Sequence, residues 1–221
     1  MSAPSLTESP TQFVRLSGIA AQMPHDNIDT DAIIPVPWMK SIRQDYAQAL
    51  FANWRWKDGD GVTEISSFIL NQKPYRNAVI LIGGVNFGCG SSREAAVWAL
   101  KHFGIRCVIA QSFGEIFQDN CFKNGVLPLA MSVADIELIG QVLQNHDPCL
   151  SVDLKLKELR LPNGQVLNFD IDSGRRHAML LGLDEIGITL LESEALSKFE
   201  RTDLEERPWA YFQSVAIKES K

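Results

Sequence analysis

The strongest constraint on what this chain can fold into is a change of hydrophobic period within residues 78–110. Ala78-Val79-Ile80-Leu81-Ile82 is a short, β-branched, almost uninterrupted apolar run, the pattern of a strand covered on both faces, and Gly83-Gly84 ends it. From Ser92 onward the period is helical: Ala96, Val97, Leu100 and Phe103 share one face, Ser91 or Ser92 is the candidate N-cap, and Gly104 is the C-terminal stop. Cys107-Val108-Ile109-Ala110 then reads as a second buried strand. Strand, helix and strand make a βαβ unit, which puts the connecting loop at the carboxyl end of the first strand.

That loop is Val85-Asn86-Phe87-Gly88-Cys89-Gly90-Ser91-Ser92-Arg93-Glu94. A helix N-terminus offers unpaired backbone N–H groups and the positive end of the macrodipole, and Arg93 adds a planar cation, so carboxylate or phosphate is the matching ligand. Gly88 and Gly90 let a ligand approach the backbone and let the chain take positive φ. A serine hydroxyl is a poor base unless its alkoxide is stabilised by nearby N–H groups and cations, which this loop supplies. Plain N-capping by the serines is the competing reading. The dinucleotide fingerprint fails because Arg93 stands where its third glycine belongs. A nucleophile elbow fails because the glycines flank Cys89 directly, which leaves Cys89 as a small loop thiol.

The chain has 221 residues, 45% hydrophobic and 22% charged, with a formal charge of −6. That composition fits one globular domain, 12–221, behind a loose N-terminal tail at 1–11, and gives no basic stripe for nucleic acid. No run approaches the roughly 18 apolar residues of a membrane span. The four cysteines, Cys89, Cys107, Cys121 and Cys149, contain no Cys-x-x-Cys pair, so the chain is expected to bind no metal or cofactor itself and to reside in a reducing cytoplasm.

Other elements follow from local pattern. Phe13–Ala20 alternates like a strand, and an Asp-rich turn leads to Ala32-Ile33-Ile34, cut off by Pro35 and Pro37. Residues 41–56 read as helix and 57–61 as a surface turn. Helix is expected at 112–122, strand at 126–130 and helix at 134–145. Leu150–Leu156 alternates before Pro162-Asn163-Gly164, a hairpin signal, and helices are expected at about 174–181 and 193–204. His177 beside Arg175 and Arg176 reads first as an interface or helix-start cluster, and Phe51, Trp54 and Trp56 as core or interface anchors. Asp29 and Asp31 fall on one side of an extended segment, where turn formation and support of a substrate site outweigh a metal pair. His25, His102 and His146 show no ligand spacing, and Cys121 sits at a burying helix position.

Asn86–Glu94 resembles the signature loop of the small subunit of 3-isopropylmalate dehydratase, in the aconitase superfamily. The likeness extends through Asn27–Pro35, Leu50–Trp56, Ala110–Phe117, Asn120–Pro128, Arg175–His177 and Gly182–Leu190, in the family's order. It implies an α/β fold, the swivelling β/β/α domain of the aconitase C-terminal type. It also implies a large-subunit partner that holds a 4Fe–4S cluster, and a small diacid substrate isomerised by dehydration and rehydration in leucine biosynthesis. On this resemblance Ser91 matches the catalytic base, Ser92 and Arg93 match substrate-binding positions, and Arg43 and Asp31 match a substrate-binding arginine and an active-site aspartate. The chemistry agrees, since a proton α to a carboxylate leaves only if the resulting dianion is stabilised by cations and N–H donors.

Two departures from the family pattern stand out. Ala95 replaces a histidine after Ser-Ser-Arg-Glu, and Gln44-Asp45 replaces Thr-Gly after Arg43. A carboxylate in place of glycine alters loop shape and charge, so a methylmalate, citraconate or homoaconitate substrate is an alternative, as is a non-catalytic anion-binding module.

Overall fold

The structure is a computed structural model that describes residues 12–40 and 45–211. The expected tail 1–11 and the segment 41–44, with Arg43 and Gln44, lie outside the described residues. β1 (Arg15–Gln22) is followed by four single-turn helices, α1 (Thr30–Ile33), α2 (Val36–Met39), α3 (Tyr46–Ala49) and α4 (Ala52–Arg55). The expected βαβ unit comes next as β2 (Ile80–Ile82), α5 (Glu94–Phe103) and β3 (Cys107–Ala110), and it continues through α6 (Glu115–Lys123) to β4 (Leu127–Ala130). Beyond α7 (Val133–Asn145) come β5 (Cys149–Asp153), β6 (Glu158–Arg160), β7 (Val166–Asn168), α8 (Ser173–Leu181), α9 (Glu185–Leu191) and α10 (Ser193–Glu206).

The strands form one seven-stranded mixed sheet in the order β4-β3-β2-β1-β5-β6-β7. β1 joins its two halves: Ala20–Gln22 pair in parallel with Ile80–Ile82, while Arg15–Ile19 pair antiparallel with β5. The apolar runs of the parallel half have a direct cause. Ile80, Ile82, Cys107, Ile109, Leu127 and Leu129 enter a core shared with Ile139, Val142 and Leu143 of α7. Leu81, Val108 and Ala110 point the other way, onto Ala96, Val97 and Leu100 of α5 and Phe117 and Cys121 of α6. With both faces covered, alternation between apolar and polar residues disappears. In β5, where one face is open, Leu150 and Val152 are buried and Ser151 and Asp153 are not.

Three local expectations change, and one element is new. The helix read over 41–56 is, from residue 45 on, two separate turns broken at Leu50-Phe51. Phe51 is left-handed at φ 51° and fully buried, donating its N–H to Ile33 O at 2.8 Å and stacking on Trp54. Tertiary packing of that ring overrides the local helical period. Residues 30–33 are helical rather than extended, because the Asp29 side chain accepts from the Ala32 N–H at 2.7 Å. Asn163-Gly164 joins β6 to β7, while β5 reverses earlier through Leu154–Lys157, with Lys157 at φ 57°. α9 is an element the sequence reading did not propose.

The described residues group into two compact units, one up to Leu183, which holds the whole sheet, and one from Asp184 on. In the second, Asp184 caps α9 through the Gly187 N–H at 2.6 Å, and Asp203 accepts from the Tyr211 hydroxyl at 2.8 Å and from Arg207. Among the described residues, no helix is long and apolar enough to cross a membrane.

Candidate active site

The loop after β2 extends the parallel sheet past its strand ends. On one side it pairs with the segment after β1: Asn27 N–H donates to Val85 O at 2.8 Å, Gly88 N–H to Ile28 O at 2.7 Å and Thr30 N–H to Cys89 O at 2.9 Å. On the other it pairs with the turn after β3, where Phe87 N–H reaches Ser112 O and Gly114 N–H reaches Phe87 O, each at 2.9 Å. The buried Phe87 ring pins the centre of the loop against Phe113 and Phe117. Gly88 and Gly90 take φ +73° and +91°, using the freedom that the sequence offers there. This braced backbone delivers Ser91 and Ser92 to the surface, where both are exposed.

Neither serine caps the helix. α5 begins at Glu94, with Arg93 as an extended N-cap residue (φ −130°, ψ 101°) that makes no side-chain capping bond. The capping alternative is therefore corrected, and both hydroxyls stay available for other partners. Among the described residues none accepts from the Glu94 or Ala95 N–H, so the helix start also keeps open donors. Arg93 is ion-paired with Asp31 across the loop, its own side chain largely covered (18% exposed) and that of Asp31 open (54%). The structure thus brings together Ser91, Ser92, Arg93 and Asp31, four of the five residues singled out from sequence. The fifth, Arg43, lies outside the described residues.

Sequence reasoning missed Thr30. Its side chain is 1% exposed, and its hydroxyl donates to Ser91 O at 2.9 Å while its N–H holds Cys89 O. One residue therefore grips the loop on both sides of Gly90. The signal was present in Asp29-Thr30-Asp31, where a hydroxyl stands between two carboxylates, but the reading weighed only the carboxylates. Thr30→Val keeps the shape and removes the donor, leaving a buried hydrogen bond unmade. In an assembled enzyme it is expected to lower kcat about tenfold, with Thr30→Ser retaining most activity. Steady-state kinetics of both variants check this, and equal loss in the two would show that packing rather than the hydroxyl matters.

Other candidates resolve structurally. Burial, with a smaller push from Asp29, raises the Cys89 thiol above its ordinary range, which opposes a thiolate nucleophile. Arg175 pairs with Asp119 at 2.6 Å and lies over Phe122, and Arg176 donates to Leu154 O and Lys155 O, so both fasten α8; His177 is exposed. Asp45, one of the unusual residues after Arg43, caps α3 through the Gln48 N–H at 3.0 Å. Cys107 and Cys121 are fully buried with thiols pushed up by burial, and no three His, Cys, Asp or Glu side chains among the described residues are grouped to hold a metal ion. These donors do not fit an iron–sulfur cluster.

The aconitase C-terminal domain family matches residues 11–134, and a mixed α/β fold with this loop at the carboxyl ends of its parallel strands defines a domain of that class. Relatives sharpen the assignment. Over 201 residues, covering 90% of this chain and 99% of the relative, the chain is 51% identical to the 3-isopropylmalate dehydratase small subunit of Mesorhizobium japonicum. The small subunit of Sinorhizobium fredii is 48% identical over the same shares. A crystal structure of 3-isopropylmalate dehydratase from Methanocaldococcus jannaschii superposes with a TM-score of 0.59 at 28% identity, covering 83% of this chain and 98% of that one. The chain belongs to the family of 3-isopropylmalate dehydratase small subunits.

Proposed function

We propose that this chain is the small subunit of a hydro-lyase that interconverts 2-isopropylmalate and 3-isopropylmalate by dehydration and rehydration in leucine biosynthesis. It acts in the cytoplasm, in a heteromer with a large subunit that holds a 4Fe–4S cluster. The observation that carries this reading is the loop itself, which is fixed from both sides by backbone ladders yet presents two free hydroxyls on an open surface beside the largely covered, Asp31-paired guanidinium of Arg93. Such a loop is half of an enclosed site. The names of the relatives favour isopropylmalate over other substituted malates and over a non-catalytic anion-binding module. The Asp45 departure, accounted for as a helix cap, does not argue against it.

Ser91 takes the proton from the substrate carbon α to a carboxylate, and in the second half of the reaction it returns a proton to the neighbouring carbon. Its alkoxide and the dianionic intermediate face the open N–H groups at the start of α5 and the Arg93 guanidinium, the donors such charge requires. Ser92 and Arg93 hold a carboxylate. Asp31 takes one edge of the guanidinium and so sets which donors face the substrate. Arg43 holds the other end of the diacid. A 4Fe–4S cluster held by the partner would supply Lewis acidity toward the substrate hydroxyl.

Purified alone, the chain is expected to turn over no 3-isopropylmalate. Anaerobic, iron-replete co-expression with a cognate large subunit is expected to yield a complex that interconverts the two isomers, followed by chromatographic separation of substrate and product. A well-formed, cluster-loaded complex that isomerises methyl- or carboxymethyl-substituted malate but not isopropylmalate would overturn the substrate assignment.

A further inference from the structure

The helix that carries the proposed site has no cap of its own, yet its first turn is clasped from outside. Asn124, at the C-terminal end of α6, donates from Nδ2 to the Glu94 carboxylate at 2.9 Å and to Asn120 O at 2.9 Å, and its Oδ1 accepts from Trp98 Nε1 at 3.1 Å. The amide is fully committed, and it seizes α5 at two points one turn apart, Glu94 and Trp98. α6 touches the loop at its other end as well, since Gly114, the residue before Glu115, donates to Phe87 O at 2.9 Å. A single helix therefore brackets the segment Phe87–Glu94 at both of its ends. The clasp also directs the Glu94 carboxylate toward Asn124 and not toward the adjoining Arg93.

We propose that Asn124 is a positioning residue for the diacid loop: it replaces the missing helix cap, holding the first turn of α5 in register while the serine hydroxyls and the first N–H groups stay open to substrate. This deepens the isopropylmalate reading and rests on it. Asn124→Asp keeps the acceptor for Trp98 but sets two carboxylates face to face where a donor met an acceptor. Glu94→Gln in that background restores a hydrogen bond with donor and acceptor exchanged.

Two readouts test it. In the free chain, amide hydrogen exchange over residues 96–99, the first bonded amides of α5, is expected to quicken at least about threefold in N124D and to return toward wild type in N124D/E94Q. In the reconstituted complex, KM for 3-isopropylmalate is expected to rise about tenfold in N124D with kcat changed far less, and the double variant is expected to recover. Wild-type exchange and KM in N124D, or a defect that Glu94→Gln leaves untouched, would overturn the proposal. If N124D does not fold, Glu94→Ala at the exposed side of the clasp gives the same exchange measurement, and unchanged exchange there overturns it. A wild-type complex inactive on isopropylmalate would sink the functional reading, while the exchange experiment would still decide the clasp.

Discussion

Replacing Ser91 with alanine is expected to lower kcat of the assembled enzyme by about a thousandfold, within the ~10²–10⁴ range of a lost general base. The substitution isolates the hydroxyl unusually well. The loop is held through backbone groups: Thr30 binds the Ser91 carbonyl at 2.9 Å, not its side chain, and the Ser91 side chain is exposed and caps nothing. Alanine at this position keeps every one of those contacts. Assembly with the large subunit and unfolding of the free chain should therefore match wild type, while deuterium incorporation from solvent into substrate falls with turnover. A complex of normal composition that retains turnover within threefold of wild type would remove Ser91 from the base role.

The parallel half of the fold was legible because its strands lie under helices on both sides, so Ile80-Leu81-Ile82 and Cys107–Ala110 show as unbroken apolar runs. The loop was legible for a related reason: Gly88 and Gly90 occupy positive φ, and at Gly88 the backbone is also too tightly enclosed for a side chain. What was lost lies where long-range contacts override local pattern. Phe51 breaks a helical stretch because its ring is taken into the core beside Phe68 and its N–H is bound by Ile33 O, partners distant enough to leave no trace in the local period. The serines looked like caps because Ser at a helix start usually is one, but here the restraint on α5 comes from Asn124, thirty residues downstream of Glu94. Thr30 was overlooked for the same reason, since its hydrogen bond to Ser91 spans a sequence separation of 61. Sequence exposes the groups proposed to face the substrate, whereas the groups that position them depend on which segments the sheet places side by side.

That division makes Gly88 a sensitive point of the scaffold, and Gly88→Ala is expected to destabilise the free chain by about 2–5 kcal/mol. Two costs add. An L side chain at φ +73° is strained on its own. A Cβ built there would also lie 2.1 Å from Phe117 Cγ and 2.3 Å from its Cδ1, distances that no adjustment of the methyl itself relieves. Phe117 has little room to yield, being 3% exposed and packed against Phe87 and Phe113. Backing the main chain away instead would pull Gly88 N–H from Ile28 O, now at 2.7 Å, and loosen the ladder that fixes Cys89 and Ser91. For a unit of this size the cost corresponds to a melting temperature lower by about 5–15 °C, measurable by calorimetry or by circular dichroism on the purified chain. Gly90→Ala provides the internal contrast, because a Cβ there meets only Asp29 Cβ at 3.5 Å and then Thr30 atoms at 3.8 Å or more, so backbone strain is its main cost. A G88A chain that melts no lower than G90A would mean that the aromatic wall beneath the loop is soft, and with it the claim that Phe87, Phe113 and Phe117 hold the reactive segment rigid.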